Sequence, residues 1–549
     1  MYQIHPEMRL IGFPILVFIV LLISSSCKPA GPPTDLTKES IIPKPVSVAK
    51  TGSSFELDDD TQIYVAHDSL YFLGQYLSDR FKSATGFSVP VKIGSEAPGA
   101  GTIFLTTKPD QNLDTEGYAL IITEDYIKLS APELHGIFNG IQTIRQLLPA
   151  IIESVAVQKG PWLISSGVIR DYPAYHWRGS MLDVARHFFS VEDVKRYIDL
   201  ISYYKMNVLH LHLSDDQGWR IEIKSWPNLT NYGGKTEVGG GEGGFYTQEQ
   251  YADIVAYAKD RFVTIVPEID LPGHINAALA SYGELNGGTV ISQEGKSSEK
   301  QSQDIGKEPQ RPKLYTGIEV GFSTLRIDNP STFKFVEDVI REICAITPGP
   351  YFHIGGDEAH VTPKQDYIAF INQFKKIVRK NGKKMIGWEE IAQANIDDED
   401  VVQHWKSIQY AKTAAAKLGR IIMSPSTVAY LDMSYDSATK FNGKKIGTHW
   451  AAYIEVDSAY RWKISTAAPG IYKDYLLGLE APLWSETIST MDELEFLAFP
   501  RLPGYAEIGW SPEDNREWSE YRVRLGKHGA KMKAMGIDFY RSPNVEWVE

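Results

Sequence analysis

Two rhythms of apolar and polar positions divide the chain. From about Ile41 to Glu153, short alternating runs mark strands at Thr61–Val65, Ser88–Ile93, Thr102–Thr106, Tyr118–Ile122 and Tyr126–Leu129. Helical spacing appears twice among them, at Ser69–Ser83 and Gly136–Ile152, so residues 41–168 are predicted to be a small α+β domain. From Trp177 onward the rhythm changes, and unbroken apolar runs alternate with helical patterns such as Val191–Tyr204. The runs are Gly179–Val184, Asn207–Leu213, Phe262–Pro267, Pro350–Gly355, Lys384–Trp388, Val401–Trp405, Arg420–Met423 and Gly478–Trp484. Eight βα units are the number that closes a parallel barrel, so residues 169–549 are predicted to form an α/β structure of the (β/α)8 TIM-like kind. An open doubly wound sheet is the alternative. No G-x-G-x-x-G follows any of the runs, and the glycines from Gly233 to Gly244 come too late after a strand to cradle a nucleotide. Two long polar connections, Asn228–Gly244 and Glu284–Pro312, are predicted to be surface loops beside the barrel mouth.

The first residues break both rhythms. Leu10–Ile23 carries no charge and follows Arg9, but it is too short to cross a bilayer as a helix and has the length of a signal-peptide core. It ends on Ser24, Ser25, Ser26 and Cys27, which resembles a bacterial lipobox, although Ser24 stands where a branched residue is usual. Residues 1–27 are read as a lipoprotein-like signal and residues 28–40, beginning KPAGPP, as a tether. The expectation is an exported protein of the periplasm or outer membrane of a Gram-negative bacterium, touching the membrane only through a lipid on Cys27. Cleavage by an ordinary signal peptidase is the alternative. Cys344 would then be the one remaining thiol, placed in an amphipathic run where a core position suits it better than a nucleophile's role. An exported chain of this kind holds together by burial and not by disulfides.

Composition narrows the partners. At 43% hydrophobic residues the chain can fill large cores, and 56 basic against 69 acidic residues give a net charge of −13, which offers nothing to a phosphate backbone. Nucleic acid is excluded as an expected partner, and oligomeric state is not legible.

Candidate chemistry gathers where the barrel strands should end. Asp183, Arg186, Asp215, Asp216, Glu268, Asp270, His274, Asp357, Glu358, Trp388, Glu389, Glu390, Trp405, Trp484 and Glu486 all follow apolar runs closely. The carboxyl ends of several strands are where such barrels place catalytic groups. The most pointed segment is Tyr351–Glu358, YFHIGGDE, in which two glycines allow a tight turn and two carboxylates follow.

Those residues carry a resemblance. His353, Gly355, Gly356, Asp357 and Glu358 resemble the H-x-G-G-D-E signature of family 20 glycoside hydrolases, the β-N-acetylhexosaminidases. The likeness extends through Asp183–Arg186, HLHLSDDQGWR at His210–Arg220, PEIDLPGH at Pro267–His274, GWEE at Gly387–Glu390, Gln403–Trp405, YLD at Tyr430–Asp432 and LWSE at Leu483–Glu486. GYALII at Gly117–Ile122 and QTIRQLL at Gln142–Leu148 resemble the domain that precedes these barrels.

The resemblance implies removal of terminal β-linked GlcNAc or GalNAc from a glycan with retention, the substrate's acetamido oxygen acting as nucleophile. Glu358 would be the general acid and then base, its pKa brought toward neutrality by the adjacent carboxylate and a dry pocket. Asp357 would orient the acetamido N–H and offset the oxazolinium charge, the two neighbouring side chains diverging. Tyr430 would bond the acetamido oxygen. Arg186, Glu486 and Asp432 would hold sugar hydroxyls, Trp388, Trp405 and Trp484 would wall the pocket, and His274 with Asp215 would tune Glu358. Neither cofactor nor metal is implied.

Two other readings use the same residues. His210 and His212 face one side of a strand, and with His274 and Asp357 they would suit a zinc hydrolase. Against this, both histidines lie inside an apolar run and not past its end. A glycan-binding protein that keeps the aromatic pocket is the other reading, and it has no use for a general acid at Glu358.

Overall fold

The computed structural model describes residues 1, 32–94, 99–108, 110, 113–287 and 311–548. The signal segment with Cys27, residues 28–31 of the tether and residues 288–310 within Glu284–Pro312 lie outside the described residues.

Residues whose alternation predicted strands form a seven-stranded mixed sheet, ordered β1-β7-β5-β6-β4-β2-β3. The strands are β1 (Ser47–Glu56), β2 (Gln62–Val65), β3 (Val91–Ile93), β4 (Thr102–Thr107), β5 (Tyr118–Ile122), β6 (Tyr126–Ala131) and β7 (Leu163–Asp171). Helices Tyr71–Thr85 and Leu134–Leu147 pack on it around a core that includes Leu77, Phe81, Ile103, Leu129 and Ile141. The antiparallel β1·β7 pair was not expected. Its sequences, SVAKTGSSFE and LISSGVIRD, are too polar to alternate, and β1 is mostly exposed.

The eight apolar runs become β8 (Trp177–Asp183), β9 (Val208–His212), β10 (Thr264–Glu268), β11 (Tyr351–His353), β12 (Lys384–Trp388), β13 (Val401–His404), β14 (Arg420–Met423) and, after a short hairpin β15 (Lys440–Phe441) and β16 (Lys444–Lys445), β17 (Leu476–Leu483). All pair in parallel, and β17 closes on β8. The barrel is therefore closed, and the open-sheet alternative falls. Strands buried on both faces read as continuous apolar runs, which is why the runs were visible. Helices begin where capping chemistry allows, as at Val191–Tyr203, where Ser190 and Asp193 form a capping box.

The two domains meet at the amino ends of β8 and β9. Asp171 of β7 accepts from Trp510 Nε1 at 2.8 Å and pairs with Lys205 Nζ at 3.1 Å, while Glu116 pairs with Arg178. This leaves the carboxyl ends of the barrel strands free. The Asn228–Gly244 connection is more than a surface loop. The carbonyls of Gly234, Thr236 and Gly244 accept from the fully buried Arg220 guanidinium, and Val238 N–H donates to the Arg186 carbonyl. Cys344 is partly buried on helix Pro330–Ile346, and burial pushes its thiol up to about 12, as befits a core position.

Candidate active site

Every residue singled out for the site lies at the carboxyl ends of the barrel strands or in the loops that follow. Asp183 ends β8, and its Oδ1 accepts from the Ala185 and Arg186 N–H groups, turning the chain so that Arg186 points across the mouth. After β11 the chain passes through Gly355 (φ 65°) and Gly356 (φ 97°). A Cβ on Gly355 would stand 1.8 Å from Asp270 Oδ1, and the same oxygen accepts from Gly356 N–H at 2.9 Å. Only glycine fits there, and the turn delivers Asp357 and Glu358 to the rim. Glu358 (φ 45°) and His274 (φ 50°) both sit in the left-handed region, a backbone cost that clusters at functional sites.

Asp357 and Glu358 share a neighbour. His274 Nε2 lies 3.7 Å from Asp357 Oδ2 and 3.7 Å from Glu358 Oε2, so one imidazole faces both. Its Nδ1 is 3.2 Å from Asp215 Oδ1, and Asp215 Oδ2 in turn meets Arg186 Nη2 at 2.8 Å and His212 Nε2 at 2.8 Å.

This arrangement corrects one expectation. Burial raises the Glu358 pKa, but attraction from His274 at 3.7 Å, with His360 and Arg186 behind, outweighs it and holds the carboxyl below its usual value. The group pushed upward is Asp357, by burial and by the charges of Glu358 and Glu268, against the pull of His274. His274 itself is held well above the ordinary histidine range: burial opposes the charge, and Asp215 and Asp357 prevail.

Several buried polar atoms around the mouth stand open. Arg186 Nε, Asp432 Oδ1, Glu486 Oε2 and Asp357 Oδ1 have no hydrogen-bond partner among the described residues. Burial, with Glu486 beside it, lifts Asp432 to about 8, while burial also raises Glu486 against Arg186. Buried groups of this kind are ready for a ligand rich in hydroxyls.

Aromatic rings line the space between. The Arg186 guanidinium lies over Trp484 at 4.8 Å, and Trp484 and Trp388 pack at 5.7 Å between centroids. Trp405 anchors its indole N–H on Glu390 at 3.2 Å. Burial, with Asp357 nearby, lifts that Glu390 carboxyl to about 8. Two contributors escaped the sequence reading. Trp450, 56% exposed, stands 6.1 Å from Trp405 and 5.9 Å from Tyr430, in a segment with no strand-end signal. Glu480 lies buried within β17, where a charge inside an apolar run was the available clue.

Four groups of three could bring ligand atoms together for a metal: His210, Glu268 and His353; His212, Asp215 and Asp270; Asp215, Asp216 and His274; Asp270, His274 and Asp357. None contains both His210 and His212, so the zinc arrangement weighed from the sequence is not the one assembled among the described residues. Both nitrogens of His210 face carboxylates, as do both of His212. Burial opposes a proton on either ring, but the carboxylates prevail, pushing His210 up to about 9 and His212 well upward. A protonated imidazole has no lone pair to give a metal.

Comparison with known proteins gives a consistent answer over both domains. Residues 175–513 match the glycosyl hydrolase family 20 catalytic domain, and residues 38–172 match domain 2 of the same family. A β-N-acetylhexosaminidase of Cellulomonas fimi is 36% identical over 513 residues, covering 92% of this chain and 97% of that protein. The solved family 20 β-N-acetylhexosaminidase of Streptomyces coelicolor A3(2) has a TM-score of 0.85 at 45% identity, covering 94% of this chain and 100% of its own. A mutant β-hexosaminidase of Streptomyces plicatus, solved with the product GlcNAc, also has a TM-score of 0.85 at 45% identity, covering 94% of this chain and 99% of its own.

Proposed function

The chain belongs to glycosyl hydrolase family 20, and from that premise we propose that it is a retaining exo-β-N-acetylhexosaminidase that works through the substrate's own acetamido group. The observation that carries the mechanism is the meeting of Asp357 and Glu358 on one imidazole, beside a tryptophan wall and a set of open polar atoms. In double displacement, nucleophile and acid flank the anomeric carbon from opposite sides. Asp357 Oδ1 is buried without a partner among the described residues, which suits it to accept an amide N–H, and the family is among those that leave the nucleophile to the substrate.

The terminal sugar places its hydroxyls on Arg186, Asp432 and Glu486, whose charges and fork geometry suit adjacent OH groups. Its acetamido group folds against Trp388, Trp405 and Trp484, with Tyr430 bonding the carbonyl oxygen. That oxygen attacks C1 while Glu358 gives its proton to the departing glycosidic oxygen, breaking the C1–O bond. Asp357 accepts the amide N–H and offsets the positive charge of the oxazolinium ring. Burial and the charges of Glu358 and Glu268 disfavour a charge on Asp357, so the cation is matched to a group whose ionised form it stabilises. Glu358, now a carboxylate, takes a proton from the water that opens the ring. Two inversions give net retention. Proton NMR of the first-formed sugar tests this: the β anomer is expected, and the α anomer would contradict it.

The lowered Glu358 sets a pH signature. A general acid must hold its proton, and in the free enzyme His274 favours losing it. A bound sugar displaces water from the pocket and raises the carboxyl. kcat/KM reports the free enzyme and kcat the complex, so the alkaline limb of kcat is expected at higher pH than that of kcat/KM. Coincident limbs would show that binding does not move the acid.

Export is part of the same reading, supported by Leu10–Cys27 and the short tether after it. Cys27→Ala is expected to leave the protein without lipid and to move it from the membrane to the soluble fraction. Wild-type protein that is already unlipidated and soluble would remove the anchor.

A further inference from the structure

The barrel interior changes character along its axis. Toward the amino end it is filled by Trp177, Val208, Val266, Ile386, Val401 and Ile422. Nearer the mouth the buried residues are His210, His212, Glu268, His353, Gln403 and Glu480. Barrels of this kind are ordinarily packed with branched apolar side chains, and buried charges rarely stabilise more than an apolar filling would. A charged layer here calls for a reason other than stability.

Its members alternate in sign. His210 Nδ1 lies 2.8 Å from Glu480 and its Nε2 3.0 Å from Glu268. His212 Nδ1 bonds the same Glu268 oxygen, and its Nε2 reaches Asp215 at 2.8 Å. Asp215 then meets His274, which faces Asp357 and Glu358. Carboxylate and imidazole follow one another without a break from mid-barrel to the catalytic pair. Glu268 is the branch point: its other oxygen accepts the Trp388 indole N–H at 2.8 Å, with His353 Nδ1 2.9 Å away.

We propose that Glu268 is a positioning residue for the reaction, fixing through Trp388 the wall that aims the acetamido oxygen and through His212 and Asp215 the charged imidazole that faces Asp357 and Glu358. The inference rests on the hydrolase reading above but adds to it, since Glu268 touches no substrate. It lies one residue inside the barrel from the groups that do. Burial alone would neutralise it, and His212, His353 and His210 keep it ionised. The groups that face His274 are Asp215 and Asp216 from the loop after β9, Asp270 from its own segment, and Asp357 and Glu358 from the turn after β11. Interacting groups of this kind titrate together, and loss of one anion weakens the hold on the imidazole proton and with it the pull that keeps Glu358 below its usual value.

The test is Glu268→Gln, which keeps the length and an acceptor for Trp388 but removes the charge. Per active site, counted with a tight thiazoline inhibitor, kcat is expected to fall about 10- to 100-fold, as when outer groups that orient reacting ones are lost. KM should stay within a few-fold, and the alkaline limb should move up, because a less firmly protonated His274 draws less on the Glu358 proton. Trp388→Phe, which removes only the N–H, should weaken the thiazoline and leave that limb in place. A folded Glu268→Gln enzyme with wild-type kcat per site and an unmoved limb would overturn the proposal. If that variant does not fold, Glu268→Asp decides: the limb should hold and kcat per site should drop, and wild-type kcat would overturn it. Wild-type protein inactive on aryl β-GlcNAc would sink the hydrolase reading as well, whereas an active wild type with an indifferent Glu268 variant sinks this inference alone.

Discussion

An aryl β-glucoside, identical to the aryl β-GlcNAc substrate except that a hydroxyl replaces the acetamido group, is expected to be hydrolysed slower by roughly four orders of magnitude or more. The estimate follows from the effective molarity of well-oriented intramolecular attack, about 10⁵ to 10⁸ M. A lost contact would cost far less. The glucoside keeps the hydroxyls that Arg186, Asp432 and Glu486 would hold, and it keeps Glu358 as its acid. It lacks only the nucleophile, and Asp357 is proposed to hold the acetamido N–H, not to attack C1. A 2-amino glycoside should be equally poor. Comparable kcat/KM on glucoside and GlcNAc substrates, or a covalent sugar trapped on any Asp or Glu with a 2-fluoro glycoside, would return the nucleophile to the protein.

Glu358→Gln is expected to divide substrates by leaving group. The amide cannot protonate the departing oxygen, so cleavage of ordinary glycosides should fall by about 10² to 10⁴-fold, the usual worth of a positioned acid. Aryl glycosides whose phenol leaves readily need little protonation and should lose much less in the first step. Asp357→Asn should behave differently, slow on both classes, because the charge that offsets the oxazolinium cation is needed whatever leaves. A uniform loss for Glu358→Gln across a series of phenols would count against its role as acid. The two variants together separate proton transfer from charge stabilisation at neighbouring positions.

Much of this was legible in the chain because burial writes itself into sequence. The barrel strands, enclosed on both faces, appear as runs such as Lys384–Trp388 and Arg420–Met423 that coincide with β12 and β14. The site appears because polar residues stand where those runs stop, as Asp357 and Glu358 do after Gly355 and Gly356. What the sequence hid is what depends on distant partners. β1 is largely exposed and β7 largely buried, so neither shows alternation. The downward pull on Glu358 comes from His274, a residue of another loop, and no local pattern announces that one imidazole will face both carboxyls. The charged ladder beneath the pocket is partly visible as His210 and His212, but Glu480 shows only as one charge inside an apolar run and gains its meaning when β17 closes beside β8.

Substrate-assisted attack is tested most directly by weakening the attacking oxygen without removing it. In a series of aryl glycosides carrying acetyl, fluoroacetyl, difluoroacetyl and trifluoroacetyl groups on the 2-nitrogen, each fluorine draws electrons from the carbonyl oxygen and changes little else at C1. If that oxygen is the nucleophile, log kcat/KM falls steeply and steadily with fluorine number. A flat series, with the trifluoroacetyl glycoside cleaved as fast as the acetyl one, would contradict it.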